Sequence, residues 1–456
     1  MLKNTFMQVL RMKIIAAAGL FLLLSTGSCK KWINDTPEPL QVDDSIIFAK
    51  EQGFREVLNG VYLQMGAKSL YGRDLTVGVL SVLGRSYDLN VNPSSDNLYN
   101  QTALYNLQDP GLKNYASDLW TKMYQAIANL NNLLLNIEKR KEMFTGNNYQ
   151  TFKGEALALR AYLHFDLLRL FAAAPASGTL TAPGIPYVTT IGTSQTPVSN
   201  LDQVMEQCIG DLKTAESLLN PSEASTVQIN YWAVKALLSR LYLYKNDQEN
   251  AQKYAYEVIN SKRFILAKNN TDLLFIKESL FGLLVQQNGP LHKTVFGEQV
   301  NLGFSSVAQT ELYVAGSGST VDWRKSFVDP LTGFANGPLY MPKKFFPLGA
   351  KSAFPMIRLT EMYYIAAECA VNNRDSLTAT TLLDSVRVHR NLQKYSLSAL
   401  KGDSLKVEIG KEYLKEFMGE GQSFFYFKRK NIPFASLPFT RIPVVGNATY
   451  VFVKPE

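Results

Sequence analysis

Two stretches of the chain interleave aromatic rings with side chains that bond hydroxyl groups. The first, about residues 66–118, holds Tyr71, Arg73, Tyr87, Asp96, Asn97, Tyr99 and Tyr105. The second, about 264–355, holds Asp322, Trp323, Arg324, Phe327 and Tyr340. Rings offer a large contact area at small entropy cost and suit the C–H face of a sugar. Amide, carboxylate and guanidinium groups answer its hydroxyl edges. The chemistry on offer is recognition of a polyhydroxylated ligand. Each ring taken alone is better explained by core packing, because large aromatics are mostly buried. The mixture Ser95-Asp96-Asn97-Leu98-Tyr99 is the part least like core.

Catalytic patterns are missing from the sequence. There is no Gly-x-Ser-x-Gly elbow, phosphate loop or HExxH, and no carboxylate pair stands out as the acid and base a glycosidase needs. His164, His292 and His389 are far apart, and no CxxC or metal-ligand spacing occurs. Neither a catalytic residue nor a metal or cofactor is expected. Cys208 and Cys369 fall on apolar helical stripes and read as two buried thiols. The basic residues are spread out, so nucleic acid is not an expected partner. The tightest basic run, Lys428-Arg429-Lys430, reads as a solvated helix end.

The elements that must position these residues are mainly helical. Phe54, Leu58, Val61, Tyr62 and Met65 recur at helical spacing, as do Trp120, Met123, Ile127, Leu130, Leu134 and Ile137. Phe152 to Phe171 is apolar nearly all round and should be a central, buried helix, with Asp166 and Arg169 pairing on its surface. Its partner carries Leu201, Val204, Cys208, Leu212 and Leu219. Ser239, Tyr242, Ala251, Ala255 and Val258 follow at gaps of 3, 9, 4 and 3, and Ala367, Ala370, Ala379, Leu383 and Val386 repeat those gaps. That is tetratricopeptide spacing, in which a small residue on one helix lets its antiparallel partner approach. A further helix runs from about Ser404 to Met418 and stops near Gly419. The expected fold is an α-α superhelix of tetratricopeptide-like hairpins with long irregular, partly β excursions at 66–118 and 264–355. Val295–Phe304 alternates as a short strand would.

The N-terminus reads as a targeting segment. Arg11 and Lys13 precede the apolar run Ile14 to Leu24, and Ser25-Thr26-Gly27-Ser28 leads to Cys29. The run is too short to span a bilayer. Residues 1–28 are expected to be a lipoprotein signal peptide, with Cys29 the lipidated residue, 29–42 a tether and 43–456 a single domain. Residues 1–28 contain Lys3, Arg11 and Lys13 and no acid, so the formal charge of +8 falls to +5 without them.

In this order the chain also resembles a known family. Lys30-Lys31-Trp32 follows Cys29, and Gly53-Phe54 leads to Leu58-Asn59-Gly60-Val61-Tyr62. Trp120 precedes Met123-Tyr124-Gln125-Ala126-Ile127 and Asn129-Leu130-Asn131. Gly154-Glu155-Ala156, Leu159-Arg160-Ala161-Tyr162, Phe165-Asp166-Leu167 and Gly184-Ile185-Pro186-Tyr187 form the most diagnostic stretch. Ile357 to Tyr363 with Ala366-Ala367-Glu368 follows, then Glu412, Gly421-Gln422-Ser423-Phe424-Phe425 and Lys428-Arg429. Together these resemble the SusD/RagB family over nearly the whole chain. The resemblance implies an outer-membrane lipoprotein facing the cell exterior that binds glycans without cleaving them. It also implies a SusC-like TonB-dependent transporter as partner, with this protein as its hinged lid. The RagB branch implies peptides instead, and a tetratricopeptide scaffold without stand-alone glycan binding is the alternative reading. Asp322-Trp323-Arg324 is similar to a structural motif of that family.

Overall fold

Capping residues set the helix starts. Asp109 accepts from the Leu112 amide at 3.2 Å and Pro110 fills the first turn of a 30-residue helix. Asn200 and Gln203 form a capping box, and Asn230 accepts from the Trp232 and Ala233 amides. The computed structural model describes residues 44–88, 97–192, 194–223, 225–285, 303, 306–313, 321–331, 339–342, 353–394, 397–439 and 442–455. The expected signal peptide, Cys29, the tether, Asp96 and all of the expected strand 295–304 except residue 303 lie outside them.

Residues Glu51–Glu456 form one compact unit, and Met1–Lys50 a separate one in which Asp44–Ile47 makes a single helical turn. The helices of the large unit are α1 Glu51–Met65, α2 Val79–Leu83, α3 Leu98–Ala103, α4 Pro110–Lys139, α5 Asn148–Phe171, α6 Leu201–Leu218 and α7 Tyr231–Lys245. They continue as α8 Gln248–Asn260, α9 Ser306–Tyr313, α10 Leu359–Asn372, α11 Ser376–His389, α12 Gly402–Glu416 and α13 Gln422–Arg429. Strands are short and pair antiparallel in twos: β1 Pro183–Pro186 with β2 Val198–Asn200, β3 Ser279–Leu284 with β6 Ala353–Arg358, and β4 Val328–Leu331 with β5 Leu339–Pro342. The fold is mainly α-helical with some strand.

Helices α1, α4, α5, α6, α7, α8, α10 and α11 each pack against the next in that order. The two hairpins with matching sequence gaps also match in their turn and cap bonds. Asn246 (φ +69°) and Arg374 (φ +64°) turn the chain in the left-handed region. The following Asp247 and Asp375 amides donate to Tyr242 O and Ala370 O, both at 2.8 Å. The two Asp carboxylates then cap the second helices through the Asn250 and Thr378 amides, both at 3.0 Å. In the first hairpin Ser239 Oγ donates to Ala251 O at 2.8 Å, so the expected small-residue contact is made.

Helix α5 is buried almost throughout, as expected, but its polar residues are buried with it. Arg169 and Asp166 pair inside the core rather than on a surface. Glu155 takes both nitrogens of Arg55, at 2.9 and 2.6 Å, and the Tyr62 hydroxyl at 3.0 Å. His164 accepts from the Val188 amide through Nε2 at 3.0 Å, so Nδ1 carries the proton and donates to Arg160 O at 2.9 Å. Burial holds its pKa down to about 3, and the ring stacks on Tyr187 with centroids 4.0 Å apart. Cys208 and Cys369 are free and buried.

Two further expectations need correction. The excursion expected at 66–118 is not one irregular stretch: residues 66–88 are a largely buried insert carrying α2, Leu98–Ala103 forms α3, and from Pro110 the chain is already in α4. A Cβ on Gly72 would collide with Gly66 O, and one on Gly421 (φ +73°) with Leu75 O, so glycine is what permits both close approaches. The Lys428-Arg429-Lys430 run is not solvated either. Lys428 is 1% exposed and donates to Leu170 O at 3.3 Å, while Arg429 grips buried Glu368 with both terminal nitrogens at 2.6 and 2.7 Å.

Candidate functional site

Three buried arginines converge on one carboxylate where the second excursion meets the helices. Glu416 of α12 accepts from Arg324 Nη1 at 2.9 Å, Arg358 Nη1 at 2.9 Å and Arg390 Nη2 at 2.7 Å. Arg324 also holds Asp322 through two nitrogens and Glu412 at 2.8 Å. Arg358 reaches Glu420 at 2.9 Å, and Arg390 reaches Glu278 at 2.7 Å. The three guanidiniums and Glu278, Glu412 and Glu416 are at most 1% exposed. Glu278, Asp322 and Arg324 come from the excursion, while Arg358 stands where β6 enters α10 and Arg390 follows α11. The network therefore clamps the excursion to the helical framework. Burial alone would raise the Glu412 and Glu416 carboxyls, but the surrounding cations outweigh it and hold both far below the usual carboxylate range. Each carboxylate of the cluster is tied to at least one guanidinium, so the cluster is built for positioning.

What it positions is Trp323. The indole Nε1 donates to His389 O at 2.6 Å, Arg390 lies 5.1 Å above the ring, and Phe275 packs beside it at 6.1 Å. Trp323 keeps part of its surface exposed. His389 also lines a cleft of about 440 Å³ together with Tyr363, Thr381, Asp384, Ser385 and Lys394. A ring, hydroxyls, a carboxylate and a cation in one concavity form a lining suited to a hydroxyl-rich ligand.

The residues anticipated in the first excursion fall into two groups. Arg73, Asn97 and Tyr99 lie in one neighbourhood. Arg73 bonds Asp74 at 2.7 and 3.1 Å, Tyr99 lies beside Asp74, and Asn97 caps α3 through the Tyr99 amide at 2.9 Å. Arg73 and Asn97 keep partial exposure, whereas Tyr99 is nearly buried. Tyr71, Tyr87 and Tyr105 are core. Their hydroxyls donate inward to Asp166 at 2.7 Å, to Val77 O at 2.8 Å and to Leu83 O respectively. Arg324 is likewise fully buried in the clamp. These four have framework partners instead of a face toward a ligand. The side chains of Phe327 and Tyr340 lie outside the described atoms, although their backbone is in place, at the end of the 3-10 turn Trp323–Phe327 just before β4 and within β5. No described contact joins the Arg73 group to Trp323.

Tyr363, Asp384, Ser385 and Lys394 of the cleft were not among the site residues anticipated from sequence, and neither was Arg85. Arg85 is 1% exposed and φ is +54°. Its Nη1 donates to Ala103 O at 3.0 Å, while Nε and Nη2 have no hydrogen-bond partner. Burial lowers its pKa. Nothing in the local spacing, Gly84-Arg85-Ser86, distinguishes it from a surface arginine. Among the described residues no group of three His, Cys, Asp or Glu is arranged to hold a metal ion.

Comparison with known proteins extends this picture. Residues 34–243 match a family model described as starch-binding associating with outer membrane, and residues 301–435 match one described as SusD family. A curated relative, SusD-like protein P2 of Formosa agariphila, is 23% identical over 256 residues, which is 55% of this chain and 47% of the relative. The chain thus spans about half the length of that relative. Among solved structures, a SusD-like carbohydrate binding protein from Bacteroides vulgatus superposes with a TM-score of 0.69 at 20% identity, covering 83% of each chain. A SusD superfamily protein from Bacteroides fragilis gives 0.66 at 24% identity, over 84% of this chain and 91% of the other. At such identities the likeness shows the fold.

Proposed function

The chain belongs to the SusD/RagB family, and we propose that it captures oligosaccharide or polysaccharide nutrients at a bacterial outer membrane without cleaving them. The observation that carries this reading is the clamp on Trp323. A buried network fixes a partly exposed indole beside a cleft lined by Tyr363, Asp384 and Ser385, and preorganised rings of this kind suit sugar faces. Of the residues anticipated from sequence, Trp323, Arg73 and Asn97 remain the candidates for ligand contact. Asp96 and Tyr340 join them as part of the proposal.

The rest of the reading is part of the same proposal, supported by family membership and, for Cys29, by the residues that precede it. Cys29 carries the lipid, the protein faces the cell exterior, and a SusC-like TonB-dependent transporter receives the ligand. The stacked hairpins are taken as tetratricopeptide-like, a reading supported by the paired Asn246-Asp247 and Arg374-Asp375 turns. One observation favours the alternative, a peptide-binding lid or scaffold: Tyr71, Tyr87, Tyr99, Tyr105 and Arg324 are spent on the core. Electrophoresis through gels containing dissolved polysaccharides, starch first, separates the two readings. Retardation by a polysaccharide, with no shorter product formed, supports capture. Unaltered migration in every gel, together with binding to peptides, supports the alternative.

A further inference from the structure

A second cleft lies far in sequence from Trp323, where helices α7, α10 and α13 end. It measures about 610 Å³ and is lined in part by Leu180, Asn246, Gln248, Asn372, Asn373 and Lys430. That volume is within the range of small-molecule sites, about 300–1,000 Å³. Leu243, Tyr244 and Arg429 line this cleft and also line a chamber of about 30 Å³ whose wall includes Arg240, Glu361 and Gln422. The shared residues place the chamber directly against the cleft, and the chamber has room for one oxygen atom and its hydrogen.

Two polar groups in this lining are unsatisfied. The Tyr244 hydroxyl belongs to a residue 3% exposed and has no hydrogen-bond partner. Arg240, 6% exposed, commits Nε and Nη2 to Glu361 at 2.6 and 2.7 Å. Its Nη1 has no hydrogen-bond partner, although the guanidinium as a whole interacts with Tyr162. Buried polar groups are nearly always bonded, so orphans in a chamber wall mark an absent partner.

The charges tell what kind of partner. Arg240 is balanced by Glu361, Arg169 by Asp166, Arg429 and Lys430 by Glu368, and Lys245 by Asp202 and Glu206. Arg429 and Lys430 share Glu368 while Lys245 faces two carboxylates, so five cations meet five carboxylates and the neighbourhood has no net charge to select an anion. The outer lining instead presents amides, of which Asn372 already bonds Gln248 at 3.1 Å. We propose that this cleft is a second binding site, for a neutral polyhydroxylated solute, one hydroxyl of which enters the chamber to accept from Arg240 Nη1 and pair with Tyr244. The site stands apart from the Trp323 surface and does not depend on it.

The test uses methyl α-glucoside, methyl β-galactoside and xylose as probes, with the purified protein and its Tyr244→Phe and Leu180→Trp variants. Tyr244→Phe removes a hydroxyl that bonds nothing in the free protein, so its melting temperature should hold or rise. Probe binding should weaken about three- to tenfold, the worth of one hydrogen bond. Leu180→Trp, at the partly exposed cleft mouth, should abolish it by filling the space. Crystals soaked with the best probe should show sugar density against Tyr244. Water alone in chamber and cleft with every probe, or probe binding that Trp323→Ala removes and Tyr244→Phe leaves intact, would overturn the second site. The latter result would leave the proposed capture at Trp323 standing.

Discussion

Glu416→Gln puts the arginine clamp to the sharpest test. The carboxylate is fully buried, and both its oxygens accept from guanidiniums. Glutamine replaces one oxygen with an NH₂ group, which sets donor against donor and leaves three buried cations short of a counter-charge. Removing one partner of a buried ion network costs about 3–5 kcal/mol. With an unfolding entropy of about 2.1 cal/mol/K per residue over Glu51–Glu456, that corresponds to a fall in Tm of about 4–6 °C. The pH dependence separates charge from shape. The Glu416 carboxyl lies well below its ordinary 4.5 because Arg390, Arg358 and Arg324 outweigh the burial that would raise it. A depressed carboxylate contributes in full above the unfolded pKa and loses that contribution as pH falls toward the folded one. Scanning calorimetry across pH should therefore show a constant gap between wild type and variant from neutrality to about pH 5, narrowing below about pH 4.5. A gap that is absent at neutral pH, or as wide in acid as at neutrality, would refute the reasoning.

Four further outcomes are expected. Tyr71→Phe should lower stability by about 1–2 kcal/mol through the lost bond to Asp166, seen in denaturant titration, without changing ligand affinity. Arg85→Met should raise the stability read from that titration by about 1 kcal/mol, since two unsatisfied buried nitrogens go with it; a fall would show that Arg85 has a partner in solution. His164 stays neutral in the fold down to about pH 3, whereas its unfolded form takes a proton near pH 6.5. Stability should thus drop as pH falls through that window by about 1.4 kcal/mol per unit from this group, and His164→Gln should flatten the slope. Lys428→Met should be neutral to stabilising, because burial already pushes the ammonium well down and only one long bond is lost; marked loss of Tm would mean the charge is needed.

The helices were legible because apolar periodicity is local. Phe54 to Met65 and Leu201 to Leu219 show their buried stripes without knowledge of any neighbour. The matched gaps of the two hairpins were legible for the same reason, since the small residues must recur where the helices approach. What distant partners decide was not legible. Lys428-Arg429-Lys430 looks like any solvated helix end until Glu368, on another helix, is brought against it. Residues 66–88 have the glycine and aromatic content of an exposed loop, and only the close approach of Gly421 and Phe424 explains why that content serves a buried insert. The candidate site was legible in part. Trp323 was singled out, but Arg324 beside it is a clamp, and Tyr71, Tyr87 and Tyr105 are framework because their hydroxyls find Asp166, Val77 and Leu83. Residue type alone cannot tell a ring that stacks on a ligand from one that stacks on the core.

The most direct test of glycan capture is calorimetric titration of the purified protein and its Trp323→Ala variant with plant, fungal and host oligosaccharides alongside peptides. Capture at the clamped indole predicts saturable binding to one glycan class, weakened about tenfold or more by the variant, the order of one aromatic contact, with the sugar recovered uncleaved. Saturable binding to peptides alone, or glycan binding that Trp323→Ala leaves untouched, would contradict it.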